Sequence, residues 1–537
     1  MKQTLCLIAL LPGLAFSQSA TSFEAADVHV STPGQNSFMR VTGPGNGLYR
    51  IQRATMLDLI RTAYGIESAR IVGGPNWLED IRFDVAAKLP EGPPGDVKPM
   101  LRALLAERFA LKTHEDNRAI SALALKVTKH ALMKKSTSSD PGQCKFVPPK
   151  QPEPGKPYVP TFSMECSNMT MAAFAGNFAR NVGPGSDILN GRLVVDQTEL
   201  AGTWDFDFHF TPRGFVSFPG GETAPISLPE ALEKQVGLLL EPVAVPFSVL
   251  VVDSVNRNPT PNEPGIADKI HLPPIPTEFD VADVKPTDPD FRGAMFNIQP
   301  GGRVTMRGMP MSQLLRQAWN LPPQLIIGFA DWMNRDRFDV VAKADVPGGQ
   351  GLTMDELGPL FQALLKDRFK LAAHLEQRPM AAYTLVAARP KMKKADPASR
   401  TRCVEGPAPD EKDPRDKNPI ASRLITCQNI TMAEFAARLQ NLASGYIFSP
   451  VVDATGLEGG YDFSLNFSPA GVAQMGRMGN PQQNNNGPGA TPVAQDPTGA
   501  ISLLDAMEKQ LGLKLQSEKR PVEVLVIDHI EQKPADN

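Results

Sequence analysis

Two histidines in this chain could do acid–base chemistry. His114 and His374 recur at the same place in a duplicated segment, with Glu115 directly after the first and Glu376 two residues after the second. An imidazole next to a carboxylate can act as a base or bind a metal. The acid stands at i+1 in one copy and at i+2 in the other. In a strand those positions face opposite sides, so a role needing fixed geometry would not survive the change. This spacing reads as two sheet-surface histidines. The other five histidines (His29, His130, His209, His271 and His529) form no pair at ligand spacing. Four aspartates make a second set. Asp196 and Asp205 recur as Asp453 and Asp462 around a VVDxTxLxG segment. Paired carboxylates can serve as general acid and base. Asp, Thr and Gly between two strand-like runs are also what a turn requires, and that reading is the simpler one. The competing expectation is a hydrolase of unrecognised type. In it His114, His374, Asp196, Asp205, Asp453 and Asp462 would converge between the halves of a unit, within ~10 Å for hydrogen-bond reach.

Other chemistries lack their residues. No G-x-S-x-G elbow, P-loop or strand-linked G-x-G-x-x-G occurs, and no CxxC or neighbouring His pair suggests zinc. No catalytic residue, cofactor or metal is expected. Trp77 and Trp332, in GGPNW and GFADW, read as side chains packed under a turn. Arg82 and Arg337 read as a solvated strand edge. The segment MKQTLCLIALLPGLAFS has Lys2, an apolar run from Leu5 to Phe16, and small residues at Ala15 and Ser17. It reads as a signal peptide over residues 1–17, too short to cross a bilayer. No later stretch has the ~20 apolar residues of a spanning helix. Export makes disulfides the default for the remaining Cys144, Cys166, Cys403 and Cys427. Four cysteines allow three pairings, and the repeat favours Cys144–Cys166 and Cys403–Cys427.

The elements that must position these residues come in two copies. WLEDIRFDVAAK (from Trp77) matches WMNRDRFDVVAK (from Trp332), and LLAERFALKTHEDNR matches LLKDRFKLAAHLEQR. VVDQTELAGTWDFDF matches VVDATGLEGGYDFSL, and ISLPEALEKQVGL matches ISLLDAMEKQLGL. The matches keep their order end to end, so the chain is a tandem duplication. The first unit spans 23–255 and the second 279–532, joined by a Pro-rich linker at 256–278. Each unit divides at a Pro-rich middle, giving halves near 23–133 and 160–255, and 279–390 and 421–532. Hydrophobic spacing gives each half a strand–helix–strand–strand–helix–strand–strand order, with ALKTHED and ALALKV, and LLLEP and FSVLVVDSV, as separate strands. The fold class is α+β, with helices packed on one face of small sheets. The 469–499 insert of the second unit reads as a low-complexity surface loop.

On RFDVAAK, LLAERFALKTHEDNR and the VVDxTxLxG segments, the chain resembles an exported soil-bacterial family. That family is abundant in acidobacteria and known mainly as a domain of unknown function. The likeness covers 23–257 and again 279–534. Some members join a similar domain to a membrane-bound metallopeptidase of the antibiotic-sensor type. No HExxH occurs here, so the resemblance does not carry that activity. In pattern alone, each half is similar to the short N-terminal domains of secretins and TonB-dependent receptors, which are periplasmic protein-interaction modules.

Composition narrows the partners. With 55 basic and 58 acidic residues the formal charge is −3, which gives no general pull toward nucleic acid or anionic lipid. The expectation is an exported, periplasmic or extracellular, non-enzymatic protein. It would bind a protein or peptide in the cell envelope through sheet edges that accept an added strand.

Overall fold

The computed structural model describes residues 22–31, 39–45, 47–91, 95–147, 161–183, 188–212, 226–270, 276–291, 293–346, 352–408, 411, 413–418, 421–473 and 499–535. The proposed signal segment 1–17 and most of the 469–499 insert lie outside them. The chain folds as α+β in four lobes, two per unit. Lobe one has strands β1 (Ala25–Val30), β2 (Arg40–Gly45), β3 (Leu48–Thr55) and β5 (Arg82–Lys88), with the short β4 (Ile71–Gly73) before β5. Helices α1 (Met56–Tyr64) and α2 (Val97–Phe109) cover one face. The strand order is β1-β5-β3-β2, antiparallel throughout.

After α2 comes β6 (Lys112–Val127). Lobe two follows with β7 (Lys134–Lys135), β8 (Gln143–Val147), β9 (Phe162–Met169), α3 (Met171–Gly176), α4 (Phe178–Val182), β10 (Leu193–Asp196), β11 (Trp204–Phe210) and α5 (Leu228–Ala231). Its order, β7-β11-β9-β8, repeats that of lobe one strand for strand. The unit ends with β12 (Leu238–Ser254), and α6 (Ile266–Ile270) lies in the linker.

The second unit repeats the plan. Lobe three holds β13 (Val281–Pro286), β14 (Met295–Ile298), β15 (Arg303–Pro310), α7 (Met311–Trp319), β16 (Ile326–Ile327), α8 (Trp332–Arg335), β17 (Arg337–Lys343) and α9 (Met354–Phe369). Then β18 (Ala372–Ala387) leads to lobe four, with β19 (Lys393–Lys394), β20 (Arg402–Glu405), β21 (Arg423–Ile430), α10 (Met432–Leu442), β22 (Val451–Asp453), β23 (Tyr461–Phe467) and α11 (Leu503–Ala506). The last strand is β24 (Leu513–His529). The orders β13-β17-β15-β14 and β19-β23-β21-β20 again match.

The lobes share one local device. In each, the third strand bulges just before its helix, and an aspartate on the neighbouring strand accepts the bulge N–H. Arg53 donates to Asp84 at 2.6 Å, Asn168 to Asp205 at 2.7 Å, Gly308 to Asp339 at 2.9 Å and Asn429 to Asp462 at 2.8 Å. The four donors have φ of 56°, 50°, 70° and 46°. A left-handed turn costs a non-glycine residue about 1–2 kcal/mol, which a hydrogen bond to a charged acceptor, at about 1.5–3 kcal/mol, offsets. Three residues on, the helix starts. Thr55, Thr170 and Thr431 cap it by accepting an N–H of the first turn.

The expected pairs of closing strands are single strands. ALKTHED and ALALKV are one continuous β6, and LLLEP and FSVLVVDSV one continuous β12. The residues between the runs, 117–121 in β6 and 243–246 in β12, continue in extended conformation, and no turn interrupts them. The two long strands lie antiparallel along their whole length. Each leaves its own lobe and ends in the other. Leu111 packs in the core of lobe one, whereas Leu123 and Leu125 pack in lobe two; Leu238 packs in lobe two, whereas Leu250 and Val252 pack in lobe one. The short strands complete the exchange. β4 pairs with β12 and β10 with β6, both parallel, giving a sheet β10-β6-β12-β4 with pseudo-two-fold symmetry. The second unit has the same sheet, β16-β24-β18-β22.

Both disulfides form as expected, Cys144–Cys166 and Cys403–Cys427. Each joins directly opposed residues of an edge strand and its neighbour, β8 to β9 and β20 to β21. The exchange has a consequence for fragments. Residues 22–133 alone lack Leu250 and Val252, and losing a buried Leu typically costs about 2–5 kcal/mol. The fragment 22–133 should therefore show no cooperative thermal transition by circular dichroism, whereas 22–262 should melt cooperatively. A sharp transition for the short fragment would refute the exchange as an energetic coupling.

Candidate functional site

The histidines find partners that sequence spacing does not show. His114 Nδ1 lies 2.9 Å from an Asp253 carboxylate oxygen, and His374 Nδ1 lies 2.8 Å from Asp528. Both aspartates sit on the antiparallel long strand, diagonal to the histidine. The i+1/i+2 contrast also dissolves, because Asp116 supplies an acid two residues after His114 just as Glu376 follows His374. Asp116 and Glu376 each pair with the arginine two further on, Arg118 and Arg378. So each unit carries a row of histidine, acid and arginine on one exposed strand face. The matched SVLVVD and EVLVID endings were the available signal. At the pseudo-symmetric end of the first ribbon, Lys126 and Glu241 form an ion pair at 2.8 Å in the corresponding positions. That substitution marks the histidine–aspartate contact as one form of a cross-strand ion pair.

The structure does not bring the histidines and the four aspartates together. Asp453 pairs with Leu385, at the far end of the strand that begins beside His374. Eleven residues of strand separate them, roughly 36 Å at ~3.3 Å per residue. Asp196 stands opposite Leu125, equally far from His114. Asp196 and Asp453 instead hold turns. Thr198 and Thr455 donate their N–H groups to them at 2.9 Å, and Leu200 and Leu457 donate to the threonine hydroxyls at 3.2 Å. Asp205 and Asp462 are the bulge acceptors of their lobes, within strands rather than in the turn. Among the described residues, no three His, Cys, Asp or Glu side chains are placed to hold a metal.

Side chains instead converge between the units, where lobe four docks on lobe one. Arg400 Nη1 lies 3.3 Å from Glu79, and its Nη2 donates to the Ile71 carbonyl at 2.7 Å and the Gly73 carbonyl at 3.2 Å. Thr401 N–H donates to Asn76 at 3.0 Å, and Arg438 pairs with Asp80. Asn190 of lobe two donates to the Pro407 carbonyl. Burial pushes the Arg400 guanidinium below its ordinary value, against the pull of Glu79. Arg82 is no solvated edge. It is half-buried at this junction, where burial pushes it down and Asp58 opposes that, and it donates to the Arg53 carbonyl at 2.6 Å. Trp77 and Trp332 are half-buried in their lobes.

Beside this dock lies a cleft of about 870 Å³, within the size range of ligand sites. Lobe one lines it with Leu57, Asp58 and Ser68, and lobe four with Arg402, Val404 and Glu405 of the edge strand β20. The backbone of β20 alternates. Gly406 N–H donates inward to Leu424, and Thr401 N–H outward to Asn76. By that alternation, the N–H and C=O of Cys403 and Glu405 point outward.

The His374 pair predicts a pH dependence. The hydrogen bond to Asp528 raises its pKa above the usual histidine value against the opposing effect of desolvation, with Glu376 adding to the rise. A raised folded pKa means the pair's contribution is complete below the unfolded pKa and disappears as pH rises through the folded one. NMR titration should place His374 above roughly 6.5, and Asp528→Asn should lower that midpoint. An unchanged midpoint in the variant would show that Asp528 is not the cause. A family model described as "Protein of unknown function (DUF3738)" matches residues 57–255 and again 312–530. No curated protein and no solved structure matches the chain.

Proposed function

From the premise that the chain belongs to the DUF3738 family in two tandem copies, we propose that it is an exported, non-enzymatic binding protein. It holds an extended segment of an envelope protein in the cleft between its units. The observation that carries this reading is the outward edge of β20 in that cleft. The edge already takes one inter-unit backbone bond, from Thr401 to Asn76. The next outward groups, at Cys403 and Glu405, offer a strand ladder to a peptide. Strand Cys403–Cys427 cross-linking fixes that edge, and Val404 and Leu57 supply apolar contact.

The ribbon edges are closed to the same use. Pro242, Pro246, Pro379 and Pro521 lie in the long strands where no short strand covers them. The Val252 and Ile527 carbonyls face glycines at the ends of the outer strands, Gly73 in β4 and Gly328 just after β16, and Leu385 accepts from Ala454. Counting by twos from these, all four prolines direct their missing N–H outward. Proline there blocks strand addition without costing a ladder bond. The paired cysteines support an exported, envelope setting.

Affinity capture with the mature protein from an envelope fraction tests the reading. Glu405→Pro removes an outward N–H and no ladder bond, so it should keep the fold. The native protein should retain a partner and the Glu405→Pro variant should not. Equal capture by both, or capture of nothing by the folded native protein, contradicts it.

A further inference from the structure

The duplication places two copies of one docking face in the chain, and among the described residues only the first has its neighbour seated. On lobe one, Ile71, Gly73, Asn76, Glu79 and Asp80 receive Arg400, Thr401 and Arg438 of lobe four. The matching positions on lobe three are Ile326, Gly328, Asp331, Asn334 and Arg335, read from GGPNWLED against GFADWMNR. Glu79, Asp80 and Arg82 are partly covered, whereas Asn334, Arg335 and Arg337 are exposed. The contrast is largest at the reversed charge: Asp80 is 28% exposed and Arg335 72%.

The second face differs in charge at the two capturing positions, keeps an arginine (Arg337 for Arg82), and carries Asp331 and Asp336 where lobe one has Asn76 and Ile81. The acids that capture Arg400 and Arg438 have become an amide and an arginine. A repeat of the internal dock by a second copy would set Arg438 against Arg335, a repulsion that disfavours head-to-tail chains of units. Next to the face, Arg335 and Arg337 border a hollow of about 470 Å³ with Asp288, Phe291 and Gly293. Arg337 is aligned by donating to the Gly293 carbonyl at 2.8 Å, and Arg307 lies over the Phe291 ring at 4.1 Å. Arg335 has the neighbouring Asp336 at 3.2 Å, an exposed contact of little energy that an incoming carboxylate can replace.

We infer that this face of lobe three is a second interaction surface, which takes an acidic segment of a partner protein. Arg335, which stands where lobe one uses Asp80 to meet an arginine, and the adjacent Arg337 meet its carboxylates. Arginine suits the role because its planar fork binds carboxylate at two points.

The test is fluorescence anisotropy at low salt with two labelled peptides, one alternating glutamate and valine and the other lysine and valine. The full chain should bind the acidic peptide at least about tenfold more tightly than the basic one, as expected for loss of a contact worth about 1.4 kcal/mol. Arg335→Asp should remove that preference, and raised salt should weaken it. Arg335→Ala and Arg337→Ala serve as milder variants, with circular dichroism confirming the fold. Glu405→Pro, which alters the inter-unit cleft, should leave the acidic peptide's binding unchanged. Equal binding of the two peptides, binding that survives Arg335→Asp, or no binding by the folded native protein overturns the proposal. Loss of binding in Glu405→Pro alone would move the site to the cleft and also overturns it.

Discussion

The crossing of two long antiparallel strands is the constraint on which each unit depends. β6 begins in lobe one and ends in the core of lobe two, and β12 does the reverse. Neither lobe has its full core without the other's strand, and the short strands β4 and β10 tie the exchange at both ends. The middle of the ribbon has no such cover. There the backbone is kept from unwanted pairing by prolines on its outer edges, a device that recurs in both units, at one shared position (Pro246 and Pro521) and one further position in each (Pro242 and Pro379).

The aspartate at each bulge works at the next level down. It lets the third strand turn into its helix within three residues, and the same geometry in four lobes with little shared sequence shows what was kept through duplication. Other positions diverged. One docking face carries Glu79 and Asp80 and seats lobe four, while its copy has Asn334 and Arg335 at those positions and is exposed there. A chain built from four similar lobes thereby gains one fixed internal interface and different exposed surfaces.

Much of the architecture was legible in the sequence because it rests on local signals. The repeat, the turn aspartates Asp196 and Asp453 and the cysteine pairing all follow from residue type, spacing or the match between copies. Long-range pairing was not legible. Asn117 and Arg118 separate two apolar runs in the way a loop would, yet they continue a strand because an antiparallel partner satisfies their backbone. The partner of His114 lies 139 residues away at Asp253, and no periodicity links the two. Asp205 and Asp462 resembled turn residues, because the bulge they serve is made by a different strand. The cleft, too, depends on how lobe four sits on lobe one, which is set by Arg400 and Arg438 and by no repeated motif.

Native-state hydrogen exchange tests the crossing most directly. If the two lobes of a unit are one cooperative body, the slowest amides of β3 and β5 and those of β9 and β11 should open with the same free energy. They should also respond together to denaturant, with Leu250→Ala lowering both sets equally. Two distinct opening energies, with Leu250→Ala affecting lobe one alone, would contradict the account.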